Sequence, residues 1–383
     1  MINLREKLNM VKEKGKSNPS PPIQRTLFIR TQSVPRDSIE GIDAITAAEI
    51  HSCEPTFEET DISPESMLFL DTETTGLAKG AGTLAFEVGV GYFESDQFVI
   101  KQMAIREYAN EAEMLKIILK QLEEHPVIVT FNGKSFDLPL LESRCVMNGM
   151  RVRFEDYAQL DLLHIMRRVY KLRLQHCTLG ALEEAVLGTH RTDDLPGAMV
   201  PQRFFDYMRT RNFDLIEDVL RHNYDDVLSM PKLLADVCGA FRTPETLAHP
   251  EDIYGVGRTF VRSGQIEKAK KCYRIIGHTT MSGQARLRLT ELSKKEKNWQ
   301  ETIELCQNMI ADHQNGSAPY IELAKYYEHV EKDYEAAERI CIQCLRYLTN
   351  YLPLYDREED QEELAMLYKR LERIRGKKER QRT

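Results

Sequence analysis

No stretch of this 383-residue chain approaches the ~20 consecutive apolar residues that a membrane-spanning helix requires. An apolar leader segment after Met1 is missing too, so the sequence predicts a protein of the cytoplasm with no membrane partner. Cysteine is present but unframed. Cys53, Cys145, Cys177, Cys238, Cys272, Cys306, Cys341 and Cys344 are scattered through a long chain, which argues for reduced thiols and against a disulfide scaffold. Cys341 and Cys344 make a CxxC within a helical pattern. With no second pair beside it, packing is expected there, not zinc. A hydrophobic fraction of 42% and a charged fraction of 29% exclude a disordered chain, and the length allows two domains with separate cores.

Charge is short of one sign in the middle and of the other at the ends. Residues 1–36 carry eight basic groups against Glu6 and Glu13, and residues 369–383 carry eight against Glu372 and Glu379. Each end is therefore +6 on a chain of net −8, which leaves −20 on the body between them. Basic ends of this kind either hold nucleic acid by counterion release or are simply solvated tails.

Residues 1–62, with Ser17-Asn18-Pro19-Ser20-Pro21-Pro22 and no long periodicity, read as a basic, partly disordered arm with one short helix near Leu4 to Val11. Regular structure is expected from Met67. Strands at Met67–Glu73, Phe86–Phe93 and Phe98–Arg106 suggest a meander. A helix over Glu111–Glu124 buries Met114, Leu115, Ile118 and Leu122, and a short buried strand follows at Pro126–Phe131. From Phe136 to Phe241 the chain reads as helices broken by Gly188 and by the turn Leu195-Pro196-Gly197. This order predicts a three-layer α/β domain of the ribonuclease H-like kind over residues 63–242, with a central mixed sheet. Beyond it, Gly264–Ala269, Asn298–Thr302 and Asp333–Ala337 align, with Ala269, Thr302 and Ala337 spaced by 33 and 35 residues. That spacing suits the ~34-residue period of tetratricopeptide repeats, so residues 243–368 are expected to be an all-α stack that docks a partner, followed by a basic tail over 369–383.

The chemistry-bearing pattern starts at Asp71 and Glu73, at the end of the first buried strand. Strand side chains alternate, so both carboxylates share a face. Two adjacent half-buried acids call for a compensating cation, and hard ions such as Mg²⁺ or Mn²⁺ suit them. A solvated strand end is the competing reading. A second buried strand ends at Asn132, and Phe136-Asp137 opens a helix, which delivers another acid to the same edge. Asp137 taken alone is equally a helix cap. Farther on, His222 and Asp226 lie four apart and share one helical face, whereas Tyr224 and Asp225 point elsewhere.

These ordered elements resemble the DEDD exonucleases, the DnaQ-like group named for its four acids. Asp71-Thr72-Glu73-Thr74-Thr75-Gly76-Leu77 matches the first motif, Asp137 the second and Asp226 the third. Asn132-Gly133 with Phe136-Asp137-Leu138-Pro139, Asp161-Leu162-Leu163-His164 and Leu195-Pro196-Gly197 look more specifically like the bacterial YprB (MrfB) family, which joins this domain to C-terminal tetratricopeptide repeats. The resemblance implies a 3′→5′ exonuclease serving DNA repair, nucleoid-associated when engaged on DNA. It would act on a single-stranded or unwound 3′ end and release nucleoside 5′-monophosphates. Two Mg²⁺ or Mn²⁺ ions would be held by Asp71, Glu73, Asp137 and Asp226, with His222 accepting a proton from water. In that group a histidine stands five residues before the last acid, or a tyrosine four before it. His222, four before Asp226, puts a histidine in the tyrosine's place. Thr72, Thr74, Leu77, Asn132 and Phe136 are the expected substrate contacts. An exoribonuclease and a non-catalytic repeat scaffold are the alternatives, and a helicase is a sensible partner for the repeats.

Overall fold

The computed structural model describes residues 25–59, 62–76, 82–192, 194–277, 279–351 and 358–382. They divide into two compact units, one of residues up to Ile165 with His176–Cys238, the other of Met166–Gln175 with Gly239 onward. Among the described residues no helix is long and apolar enough to cross a membrane. All eight cysteines are buried, and none is in a disulfide.

The first unit is built on a six-stranded sheet of order β1-β4-β3-β2-β5-β6. Its strands are β1 (Phe28–Pro35), β2 (Met67–Thr74), β3 (Ala85–Glu94), β4 (Gln97–Ala104), β5 (Val127–Thr130) and β6 (Ala158–Asp161). The expected meander is β2-β3-β4, antiparallel throughout. β5 runs parallel to β2, and β6 parallel to β5. One face packs Leu68, Leu70, Val88, Val90 and Met103 against Met114, Leu115, Ile118 and Leu122 of the helix Glu111–Glu124 and against Leu138 and Leu141 of the helix Asp137–Met147. Burying each such side chain is worth about 1.5–3 kcal/mol, which outweighs the local conformational cost. The rings of Phe69, Phe93 and Phe98 cluster together, Phe93 and Phe98 with centroids 4.8 Å apart.

The long helix Glu217–Arg242 crosses β3 at Gly89 and Gly91. A Cβ on Gly89 would stand 2.1 Å from Asn223 Oδ1, and one on Gly91 would stand 2.8 Å from Val227 Cγ1. Only glycine lets this helix lie so near the sheet.

Two expectations for this unit are corrected. Residues 28–59, read as part of an arm, are folded. β1 pairs with β4 from Phe28↔Ala104 to Pro35↔Gln97, and Ile39, Ile42, Ile45, Ile50 and Cys53 are buried. β1 escapes sequence patterning because it is an edge strand with Thr31, Gln32 and Ser33 exposed, and its final proline is tolerated there. The short helix foreseen near Leu4 to Val11 lies outside the described residues. β6 is the other missed element, since its four residues carry too little apolar signal to be read as a strand.

The second unit is helical. Hairpins pair Pro250–Arg262 with Ile266–Ile275, Ser282–Lys295 with Trp299–Ala311, and Ala318–Tyr326 (extended by a π turn, Tyr327–Glu331) with Tyr334–Tyr351. Each hairpin turns through one left-handed residue, Gly264 (φ 73°), Lys297 (φ 60°) or Lys332 (φ 58°). Ala269, Thr302 and Ala337 are fully buried just beyond those turns, where small side chains permit close approach. The expected basic tail over 369–383 is instead part of the helix Glu358–Arg382 as far as it is described. Leu367, Leu371 and Ile374 recur at helical spacing and pack on Cys341 and Cys344, which also accounts for the CxxC.

Candidate functional site

β5 pairs with β2 only over Met67–Phe69, whereas β3 follows β2 to Thr74. Beyond Phe69 one edge of β2 is therefore open, at the carboxyl ends of two parallel strands, where open α/β sheets commonly hold ligands. Asp71 and Glu73 emerge at this notch. Asn223 Nδ2, from the long helix, donates to Asp71 Oδ2 at 2.9 Å. Gly89 pairs directly with Asp71 across the ladder, so the bare backbone that admits Asn223 lies beside the acid it holds.

The four predicted carboxyls lie within electrostatic reach of one another. Burial, then the charges of Asp226, Glu73 and Asp137, push Asp71 well above the ordinary carboxylate value. Burial, then Glu87, Asp226 and Asp137, do the same to Glu73. Burial raises Asp137 to about 6 against the opposing hydrogen bond from the Thr72 hydroxyl. Asp226 is raised by burial, while His222 and Arg191 oppose the shift. His222 presents Nε2 at 3.8 Å from Glu73 Oε1 and 3.9 Å from Asp226 Oδ2. Its Nδ1 lies 2.6 Å from Asp194 Oδ1.

Among the other predicted residues, the Thr72 hydroxyl expected against a sugar is engaged with Asp137, and the Thr74 hydroxyl donates to the Gly76 carbonyl at 3.0 Å. Both hydroxyls thus shape the acidic strand end. Asn132 takes a left-handed conformation (φ 68°) and its amide N–H donates to Asp161 Oδ1 at 2.8 Å. Asp161 Oδ1 also accepts from Leu163 N–H at 3.1 Å, so this acid pins the loop after β5 to the start of a helix. Phe136 is 45% exposed. Leu77 lies outside the described residues.

Sequence reasoning misses four members of the site. Arg191 Nη1 lies 2.6 Å from Asp226 Oδ1, and its guanidinium also grips Glu183. Asp194 and Arg191 sit in an irregular segment without periodicity, so nothing in the sequence ties them to His222, 28 positions away from Asp194. Asn223, beside His222, carries no charge to mark it. Glu87, fully buried, faces Glu73 across the ladder, accepts from Gln102 Nε2 at 3.0 Å and is pushed well up by burial and by Asp71. Its pattern on β3 reads as one more strand residue.

Among the described residues no three ligating side chains stand in the spacing of a formed metal centre. The donor set is nonetheless one that hard divalent cations take, carboxylate oxygens with one imidazole, and among the described residues four half-buried, mutually repelling acids are met by a single guanidinium. The residues fit such ions.

Residues 68–238 match the family model described as the RNase_H superfamily. Together with the mixed six-stranded sheet, this makes the first unit an RNase H-like domain of the nuclease class. The protein YprB of Bacillus subtilis (strain 168) is 30% identical over 298 residues, covering 76% of this chain and 71% of that protein. The chain belongs to the YprB family. It is also 28% identical to a DNA polymerase of Pyrococcus glycovorans over 27% of this chain and 19% of the polymerase. The family B DNA polymerase from the archaeon Pyrobaculum calidifontis superposes with a TM-score of 0.37 at 17% identity, covering 56% of this chain and 30% of that one. The chain spans less than a third of either polymerase, and a superposition at that score bears no further weight.

Proposed function

We propose that this protein is a metal-dependent 3′→5′ exonuclease that removes nucleoside 5′-monophosphates from DNA ends in repair. The observation that carries this reading is the convergence of four half-buried carboxyls from three separate elements, each raised above its ordinary value, with one imidazole beside them. Asp71, Glu73, Asp137 and Asp226 would hold Mg²⁺ or Mn²⁺, two ions by family resemblance. When bound, such ions supply positive charge to a phosphodiester and lower the pKa of water.

The chain's own residues do the rest. Asp194 takes the Nδ1 side of His222, which leaves Nε2 on the side of Glu73 and Asp226 to receive the proton of an attacking water. The water oxygen bonds to phosphorus, the bond to the 3′ oxygen breaks, and its electron pair leaves with that oxygen. Asn223 holds Asp71 in place, and Thr72 holds Asp137. Phe136, partly exposed on the loop that carries Asp137, offers a ring to a terminal base without reading its identity. The helical unit is read as tetratricopeptide-like repeats that dock a partner such as a helicase, supported by the recurrent left-handed turns.

End-labelled single-stranded DNA and RNA of one sequence, digested with Mn²⁺, Mg²⁺ or EDTA, test the proposal. Stepwise shortening of DNA from its 3′ end only with metal is expected. Preferential digestion of RNA makes it an exoribonuclease instead. No cleavage of either under any metal leaves a scaffold.

A further inference from the structure

The helical unit contains a cavity of about 500 Å³ that the carboxylate chemistry does not use. Its wall carries Trp299, the chain's single tryptophan, and Tyr326, with ring centroids 5.5 Å apart. Around them stand five permanent cations, Lys294, Lys325, Arg370, Arg373 and Lys377, drawn from three different helices. Two acids partner them. Glu322 takes Lys294 and Lys325, the latter at 2.7 Å. Glu328, wholly buried on the π turn, takes Arg370 at 3.2 Å, Arg373 at 2.8 Å and Lys377 at 2.8 Å. Glu331, held by the Tyr326 hydroxyl, is the next acid along. Even with Glu331 counted, two positive charges remain on a protein whose total is −8.

We propose that this cavity binds a segment of single-stranded nucleic acid, a base on Trp299, whose ring packs on the buried Tyr326, and its phosphates on the surrounding cations. Cations spread along a groove beside a π-face are the means by which proteins hold a strand without reading its sequence. A lone phosphate would leave the aromatic wall unused, and an acidic peptide would match the charge but not the rings. The preference for nucleic acid over peptide rests on the nuclease reading, and the cavity itself does not.

Trp299 reports on this cavity directly. The full-length protein is titrated with a short oligothymidylate in EDTA, so that nothing is cut, while tryptophan emission is followed. Saturable quenching is expected, with affinity falling as salt rises at a log–log slope of about −0.7 per phosphate engaged. Replacing Arg373→Gln and Lys377→Gln together should weaken binding about tenfold and flatten that slope by about 1.4. Arg370 still pairs with Glu328 in that variant, and unchanged helical circular dichroism verifies the fold. Trp299→Leu, followed by anisotropy of a labelled oligonucleotide, should weaken binding about tenfold through lost stacking. Absence of quenching at low salt overturns the proposal. So does a poly-glutamate peptide that quenches Trp299 more tightly than the oligonucleotide, which would make the cavity a peptide groove. A protein that shows no nuclease activity yet quenches with this salt slope keeps the groove and loses only the nuclease reading.

Discussion

The two units bury their carboxylates in opposite ways. In the sheet unit, Asp71 and Glu73, half-buried, and Glu87, fully buried, stand among like charges and are pushed well above the ordinary range. In the helical unit, burial of Glu328 is overcome by hydrogen bonds from Arg373 and Lys377, which hold it at about 2. Glu328 is a finished structure: it ties the last helix to the π turn with its own cations. The acids of the notch are unfinished, because among the described residues Arg191 is the one guanidinium paired with any of the four, at Asp226. On the proposed function, a cluster left short of positive charge takes its cations from outside, whereas a satisfied one serves the fold.

Asp71→Asn tests that contrast most severely. Nuclease turnover should fall more than about a thousandfold, because an oxygen that would hold metal is replaced. The metal-free protein should nevertheless melt higher, since repulsion with Asp226, Glu73 and Asp137 is relieved. An unchanged cleavage rate would remove Asp71 from the chemistry. Glu328→Gln should behave in the reverse sense, costing about 2 kcal/mol in urea unfolding because three cations lose their shared anion while two keep partial contact with water. Cleavage per folded molecule should stay the same. A smaller effect is expected at Asp194→Asn, where kcat should drop about tenfold with KM unaltered and Asp194→Glu should recover part of it. An equal loss at Asp194→Glu, with KM raised in both variants, would point to misfolding instead of a displaced imidazole.

The pH response should be the mildest difference. Asp137 is raised in the folded state to about 6, so the metal-free protein binds more protons folded than unfolded above the ordinary value of 3.8. The stabilisation it gives is present below that value and lost as pH rises to about 6, and added Mg²⁺ should flatten the trend. Glu328, lowered to about 2, has the opposite sign: its stabilisation is present above 4.5 and lost as pH falls toward 2. Trp299 emission follows the helical unit alone, and circular dichroism follows both. Melts that move together at both ends of the pH range would contradict the division of roles.

Much of this was legible from periodicity and spacing. β2, β3, β4 and the helix Glu111–Glu124 lie within a residue or two of their expected bounds, because each buries a regular apolar face. β1 and β6 were hidden, one as a polar edge strand that depends on β4 for its hydrogen bonds, the other for want of length. In the site, the acids announce themselves because clustered charge is costly to bury. The groups that position them do not: Asn223 is neutral, and Arg191 and Asp194 act across chain distances that no local pattern records. The turns at Gly264, Lys297 and Lys332 lie at or just before the segments that align in the sequence, yet the length of the final helix depended on Leu367, Leu371 and Ile374 finding the Cys341 face.

Two missing methyl groups, at positions 89 and 91, set how deep the long helix can settle on the sheet. The separation between the strand's acids and Asp226 of the helix is thereby set by the Asn223 and Val227 side chains resting directly on bare strand backbone. Any ion seated there would meet oxygens whose spacing is set by that packing and not by the ion.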